Sequence, residues 1–386
     1  MKAGKALVAH SGGPTAVMNA SLLGVIEESR ERSFCQALYG ARFGLQGILA
    51  EDFVDLFAQP PELLRAIHSA PASALGTSRH EASPQDLSRL LDIFQACDVR
   101  FFFYTGGNGS MGTALEIHVL AQRRGYELQV VGIPKTIDND LQQTDHAPGF
   151  PSAARFAACA VRDIGADNLA LPNQVEIVEI LGRNAGWLAA STALARRSPG
   201  DAPHLIYFPE NRLPLQSFLT DVSRVYSQHK RCVVAVCEGQ LDDHGEPFGA
   251  DVRKGSRGTL AQNLAHRLAL LVTEELGLRA RSERPGLLGR SSQEHALSSD
   301  RDEAYACGRA AVIAAVTQHG GTMVTLQCTR QPYRFSTNLV ALSEVALFER
   351  ALPQEYRTPE GNDVTPEFLS YITPLVGEIV KYPGIL

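Results

Sequence analysis

Short apolar segments that end directly in glycine or in clustered polar residues place the strongest constraint on how this chain can fold. Five of them lie at residues 6–10, 99–104, 128–133, 175–180 and 232–237. Apolar residues at helical spacing follow the first two segments. Because continuous apolar strands that alternate with helices are typical of parallel sheets covered on both faces, we predict an α/β fold.

Two of these strands end in glycine turns, Ser11-Gly12-Gly13 and residues 106–110, and each turn precedes a predicted helix. In parallel sheets ligands bind at the carboxyl ends of the strands. Glycine there lacks the Cβ that would keep an anion away from the backbone N–H groups and from the positive helix end. One such turn is often only structural, but two in one sheet predict phosphate binding. The chain has neither a P-loop nor a dinucleotide-binding fingerprint.

The third segment ends in the run Pro-Lys-Thr-Ile-Asp-Asn-Asp at residues 134–140. Phosphoryl transfer to an alcohol needs a carboxylate to accept the hydroxyl proton and positive charge around the moving group. In an extended backbone Asp138 and Asp140 point the same way, so one can act as the base while the other holds magnesium or orients a neighbour. The alternative is a solvated acidic turn.

Five motifs in chain order resemble the pattern of the 6-phosphofructokinase family. They are Ser11-Gly12-Gly13, Leu-Gly-Thr-Ser-Arg at residues 75–79, Gly-Gly-Asn-Gly-Ser at 106–110, the acidic run at 134–140, and Leu-Gly-Arg at 181–183. Residues 184–187 and the opening turn are similar to the bacterial branch that commonly uses pyrophosphate. An NAD or lipid kinase shares the glycine run, but it would lack the acidic run.

The resemblance implies two domains with mostly parallel sheets covered by helices, and an active site in the cleft between them. Residues 1–149 would form the phosphoryl-donor domain and residues 150–290 the sugar-phosphate domain. Residues 291–386 would be a returning segment shared by both, with a C-terminal extension. The family assembles as dimers or tetramers, so a homo-oligomer is expected.

Carried over to matching positions, the resemblance implies phosphorylation of fructose 6-phosphate at its 1-hydroxyl. Asp138 would be the general base, and Thr136, Lys135 and Arg183 would act on the transferred phosphoryl group. The residues implied in donor binding are Gly13, Arg79, Gly107, Gly109 and Ser110. Besides Thr136, Asp138 and Arg183, those implied in sugar binding are Leu181, Gly182, Glu238, Arg281, Arg284 and Arg290. Mg²⁺ would be held by Asn108 and Asp140.

The choice of phosphoryl donor depends on Gly109 and Lys135. Pyrophosphate users in the family typically carry aspartate at the first position, where it would obstruct ATP, whereas Lys135 is typical of pyrophosphate users. Because steric exclusion is harder to evade than an extra positive charge, we expect ATP, with pyrophosphate as the alternative. Further alternatives are a kinase for another ketose phosphate, or a non-catalytic sugar-phosphate-binding regulator, which Asn108 in place of the family's aspartate would suit.

Composition excludes several other classes of partner. The net charge is −6, and no basic run with interleaved aromatic residues points to nucleic acid. No window approaches about 18 consecutive apolar residues, so no membrane span is predicted. The seven cysteines stand singly, as expected for reduced thiols of a cytoplasmic protein.

Overall fold

The structure, a computed structural model, describes residues 4–171, 173–248, 252–255, 258–261, 263–346 and 348–384. In chain order the strands are β1 (Lys5–His10), β2 (Leu38–Ala41), β3 (Phe53–Asp55), β4 (Val99–Gly106), β5 (Gln129–Pro134), β6 (Val175–Ile180), β7 (Leu205–Tyr207), β8 (Cys232–Cys237), β9 (Val252–Gly255), β10 (Gly258–Ala261), β11 (Ala280–Glu283), β12 (Thr322–Arg330) and β13 (Tyr333–Ala341).

The α-helices are α1 (Met18–Arg32), α2 (Gly44–Leu49), α3 (Pro61–Ser69), α4 (Pro84–Ala96), α5 (Asn108–Arg123), α6 (Phe150–Ala170), α7 (Trp187–Ser191), α8 (Leu215–His229), α9 (Leu264–Leu276), α10 (Ser298–Val316), α11 (Leu342–Val345) and α12 (Pro366–Val376). Short 3₁₀ turns span Thr192–Ala195, Gly286–Arg290, Gln293–His295 and Gln354–Tyr356. Among the described residues, no helix is both long and apolar enough to cross a membrane.

The chain forms two compact units, each built from two stretches of sequence. Unit 1 comprises Met1–Phe150 and Arg290–Arg350, and unit 2 comprises Pro151–Gly289 and Ala351–Leu386. The functions predicted for the two domains stay predictions at this point.

In unit 1 the described strands form one sheet in the order β13-β12-β5-β4-β1-β2-β3. Its inner pairs are parallel, while β3 and β13 join antiparallel at the two edges. In β4 successive aromatic rings point to opposite faces, so Phe102 packs in one core and Phe101 and Phe103 pack in the other. This double burial explains why the segment reads as a continuous apolar run rather than an alternating one.

In unit 2 the order β11-β6-β8-β7 describes a parallel sheet, and β9 and β10 form a separate antiparallel pair. The two central strands of the sheet, β6 and β8, are buried along their whole length. An aromatic cluster surrounds the buried Trp187, whose ring centroid lies 5.5 Å from that of Tyr371 and 6.0 Å from that of Tyr356. The predicted α/β class, with mostly parallel sheets covered by helices, is confirmed.

Candidate active site

The acidic run begins where β5 ends at Pro134, and it leaves the sheet in a turn. Asn139 adopts a left-handed conformation with φ of 55°, which asparagine tolerates better than most residues. Its Oδ1 accepts a hydrogen bond from the backbone N–H of Ala147 at 3.0 Å. The sequence predicts that Asp138 and Asp140 point the same way if the backbone is extended. That condition is not met, because the left-handed Asn139 bends the chain between them.

The two carboxylates of this turn nevertheless interact. Burial, and then the negative charge of Asp138, raises the pKa of Asp140 to about 7. The side chain of Thr136 opposes this rise by hydrogen bonding, and its Oγ1 also accepts a hydrogen bond from the backbone N–H of Asp138 at 3.1 Å. Oδ1 of Asp140 is buried and has no hydrogen-bond partner among the residues that the structure describes.

The first glycine turn is held by neighbouring segments of unit 1. Gly12 has φ of +80°, a conformation that favours glycine, and its N–H donates to the carbonyl oxygen of Ser78 at 2.9 Å. The hydroxyl of Thr77 donates to the Gly12 carbonyl at 2.7 Å. The ammonium of Lys135 donates to the carbonyl of Gly13 at 2.8 Å, although the lysine is only 4% exposed. The turn is therefore fixed from two sides, with a buried cation on one of them.

The two glycine turns differ in their distance from the helix that follows. After the first turn α1 starts only at Met18, so its positive end is not adjacent to Gly13. The second turn follows the prediction better, because α5 starts at Asn108 within the glycine run itself. There, a Cβ on Gly106 would lie 2.2 Å from Oγ of Ser110, whereas a Cβ on Gly109 would meet nothing within 4 Å. The second turn is thus the one that combines glycine with a helix N-terminus.

His10 is the last residue of β1 and directly precedes the first turn. The sequence showed it only as the end of an apolar run, so no role was predicted for it. It is fully buried, and its Nδ1 lies 2.7 Å from Oγ of Ser73. Burial, helped by the charge of Lys135, lowers the pKa of His10 to about 3. His10 is therefore neutral at physiological pH, and Lys135 provides the positive charge beside the turn. Arg79, a predicted donor residue, is exposed directly after Ser78.

In unit 2 the Leu-Gly-Arg motif follows β6, starting at Leu181, and forms a strained loop with φ of 145° at Gly182 and 48° at Arg183. Oε1 of Glu238 accepts hydrogen bonds from the backbone N–H groups of Gly182 at 3.4 Å and of Arg183 at 3.3 Å. Burial raises the pKa of Glu238, and these two N–H groups oppose the rise. Glu238 thus holds the loop that presents Arg183, and its predicted contact with sugar hydroxyls stays a prediction.

The three arginines predicted to contact the sugar phosphate are divided between the two units. Arg281 lies on β11 in register with Glu176, and Nε of Arg284 lies 2.9 Å from Oε1 of the buried Glu179. Both arginines belong to unit 2, whereas Arg290 belongs to unit 1.

A buried charged network around His146, six residues after the acidic run, was not predicted from the sequence. His146 is fully buried, with Nδ1 3.0 Å from Oδ1 of Asp145 and Nε2 2.7 Å from Oε2 of Glu303. Arg330 contacts the same Asp145 oxygen at 2.7 Å. Burial works to lower the pKa of His146, but the charge of Glu303 and the hydrogen bonds outweigh it and raise that pKa well above 6.5. The only sequence signal was an Asp-His pair soon after the acidic run.

This network predicts a pH-dependent stability. The folded pKa of His146 lies above its unfolded value, so its stabilisation is complete below about pH 6.5 and is lost as the pH rises through the folded pKa. We expect His146→Gln to lower the free energy of unfolding by about 3 kcal/mol at pH 6, because Glu303 loses its buried partner, and by less at pH 9. Urea unfolding across this range measures both values.

The matched control is His319→Gln, since His319 is exposed. It should keep the wild-type pH dependence. An equal loss for His146→Gln at pH 6 and pH 9 would contradict the assignment of charge to His146.

Comparison with known proteins agrees with this set of motifs. The profile of the family described as "Phosphofructokinase" matches residues 5–315. A pyrophosphate–fructose 6-phosphate 1-phosphotransferase of Rhodospirillum rubrum is 38% identical over 97% of this chain and 94% of its own length. The crystal structure of a pyrophosphate-dependent phosphofructokinase from Nitrosospira multiformis superposes with a TM-score of 0.89 at 34% identity, over 100% of this chain and 94% of that one.

Two further relatives differ in donor or acceptor. A sulfofructose kinase of Alkalicoccus urumqiensis is 30% identical over 90% of this chain and 91% of its own length. An ATP-dependent 6-phosphofructokinase of Entamoeba histolytica is 30% identical over 66% of this chain and 57% of its own length. The resemblance inferred from the motifs is confirmed. The chain belongs to the phosphofructokinase family, and it is a phosphotransferase that acts on an alcohol group.

Proposed function

We propose that this enzyme transfers a phosphoryl group from pyrophosphate to the 1-hydroxyl of fructose 6-phosphate. The observation that carries the proposal is the buried ammonium of Lys135 on the carbonyl of Gly13. A positive charge in a shielded site interacts more strongly with an anion than the same charge in water. Such a charge suits a donor that is small and highly charged throughout.

The sequence alone favoured ATP, and the relatives support the alternative. The pyrophosphate-dependent proteins match this chain over nearly its whole length, whereas the match to the ATP-dependent protein covers about two thirds of it. ATP stays the second candidate because of Gly109, where an added Cβ would point into open space. That space accommodates a larger donor.

The proposed reaction uses residues of this chain in the following way. The oxygen of the sugar hydroxyl attacks the terminal phosphorus of the donor, the bond from that phosphorus to the bridging oxygen breaks, and phosphate leaves. Asp138 accepts the hydroxyl proton. Thr136 and Arg183 bind the oxygens of the transferred group, where negative charge must be stabilised. Glu238 keeps Arg183 in place through the backbone contacts described above.

Magnesium fits the residues predicted to bind it. Among the described residues, Oδ1 of Asp140 and Nδ2 of Asn108 are buried atoms without hydrogen-bond partners. Rotation of the Asn108 amide would turn its oxygen to that position, and carboxylate and amide oxygens are ligands that Mg²⁺ accepts. Asp140 and Asn108 would hold the ion, which supplies positive charge to the donor phosphates when bound. Homo-oligomer assembly and a cytoplasmic location are further parts of this proposal.

A donor assay tests the proposal. Purified enzyme with Mg²⁺ and fructose 6-phosphate is given pyrophosphate or ATP in separate reactions, and fructose 1,6-bisphosphate is measured. We expect product with pyrophosphate and at most a small fraction of that rate with ATP. Asp138→Asn, purified in the same way, controls for contaminating kinases.

Product with ATP alone would refute the proposed donor. Turnover of sulfofructose in place of fructose 6-phosphate would refute the proposed acceptor, and binding of fructose 6-phosphate without turnover would favour a regulatory protein.

A further inference from the structure

Residues 182–186 form the Arg183 loop, and its last residue contacts a second carboxylate, Glu210, for which no role was predicted from the sequence. Oε1 of Glu210 accepts hydrogen bonds from the backbone N–H groups of Gly186 at 2.9 Å and of Leu352 at 2.6 Å. Gly186 directly precedes α7, and Leu352 is buried. Glu210 therefore ties the end of the loop to a packed segment of unit 2.

The two ends of the loop are held by different side chains. Glu238 accepts the N–H groups at the start, and in the middle the N–H of Ala185 donates to the carbonyl of Gly182 at 3.0 Å. Between these points Arg183 lies in the left-handed region with φ of 48°, a conformation that costs an arginine free energy. Such a conformation persists only where the surrounding structure holds it. We therefore expect the loop to relax when the carboxylate at its end is removed.

Gly186 allows Glu210 to come this close. A Cβ on Gly186 would lie 2.8 Å from Oε2 of Glu210 and 2.9 Å from Cβ of Phe208, too close for an ordinary side chain. Oε2 is buried and has no hydrogen-bond partner in the described part of the chain. Burial raises the pKa of Glu210, and the N–H groups of Gly186 and Leu352 oppose the rise. Because an unpaired buried oxygen costs free energy, stability alone does not account for this carboxylate.

We propose that Glu210 is a positioning residue that keeps Arg183 on the transferred phosphoryl group. This inference rests on the proposed function, in which Arg183 binds oxygens of that group. Glu210 acts through the backbone of the loop and does not itself touch the substrate. Its loss should lower turnover through Arg183, with little change in how the enzyme binds pyrophosphate or fructose 6-phosphate before reaction.

A double-mutant cycle on kcat tests this role. Glu210→Ala removes the accepting oxygen, and we expect kcat to fall about 10- to 100-fold, with both KM values within about threefold of wild type. Glu210→Gln keeps an accepting oxygen on a side chain of the same length and should restore most of the activity. In an Arg183→Ala background, Glu210→Ala should change kcat by less than about twofold, because the residue through which it acts is already gone.

Glu274→Ala is the matched control, because that carboxylate is exposed on α9 of the same unit, and its kcat should stay at the wild-type level. Thermal unfolding checks that each variant is folded at the assay temperature. If Glu210→Ala does not fold, Glu210→Asp takes its place in the cycle, since the shorter side chain draws the carboxylate away from the two N–H groups.

Equal losses from Glu210→Ala in the wild-type and Arg183→Ala backgrounds would overturn the inference, because a general structural defect adds to the loss of Arg183. A wild-type kcat for Glu210→Ala would overturn it as well. If Arg183→Ala itself kept the wild-type kcat, the proposed role of Arg183 would fail, and the inference with it. If wild type used only ATP, the proposed donor would fail, and the same cycle with ATP would decide the role of Glu210.

Discussion

Asp138→Asn should lower kcat by about 10²- to 10⁴-fold while leaving the fold intact, because it removes the group proposed to accept the hydroxyl proton. The amide has nearly the shape of the carboxylate, and Asp138 is only partly buried, so little packing is lost. The backbone N–H of Asp138 still donates to Thr136, which keeps the turn in place. Steady-state kinetics with saturating pyrophosphate and fructose 6-phosphate measures the loss, and thermal unfolding reports on the fold.

Asp92→Asn is the matched control, since that carboxylate lies on α4 of the same unit and is 63% exposed. Its kcat should remain near the wild-type value. Turnover by Asp138→Asn within a few-fold of wild type would show that another group accepts the proton.

Gly239→Ala should be the most damaging change outside the acidic run. A Cβ at this position would lie 1.6 Å from the carbonyl oxygen of Arg183, which is a backbone atom and cannot rotate away. The Arg183 loop, already strained, would have to move. We expect a loss of about 3 kcal/mol in the free energy of unfolding. We also expect kcat to fall about 100-fold, because the change displaces Arg183 from the phosphoryl group that we propose it binds.

Gly200→Ala controls for the general cost of replacing glycine in unit 2, because its Cβ would first meet the ring of His229 at an ordinary 3.5 Å. Near-normal unfolding energy and kcat are expected for it. If Gly239→Ala also kept near-normal unfolding energy and kcat, the close approach of Gly239 to the carbonyl of Arg183 would affect neither stability nor turnover.

The sequence predicts the strands best where they are buried on both faces. β6 and β8 have the predicted bounds, β4 is two residues longer at its end, and β5 is shifted by one residue. β12 and β13 were not predicted. Residues of β13 such as Arg334 and Asn338 are exposed, so no continuous apolar run marks this edge strand.

The sequence supplies a list of candidate site residues, but it does not supply their geometry. The motifs predict Lys135, Asp138 and Arg183 as site residues from residue type and spacing along the chain alone, and their roles stay predictions. The left-handed conformation of Asn139 goes with a hydrogen bond to Ala147 eight residues further on, and the position of Arg290 beside Gly13 is a contact between segments far apart in sequence. Local propensity carries no information about such contacts.

The position of β12 bears on how the chain folds as it leaves the ribosome. β5, which carries the acidic run, pairs with β4 on one side and with β12 on the other, and β12 lies almost 190 residues further along the chain. Until β12 has been synthesised, the nascent chain exposes an unpaired apolar edge at β5. All strands of the unit 2 sheet, from β6 to β11, emerge before it. The sheet that starts first is therefore completed last, and β5 is the segment that needs protection from aggregation in the meantime.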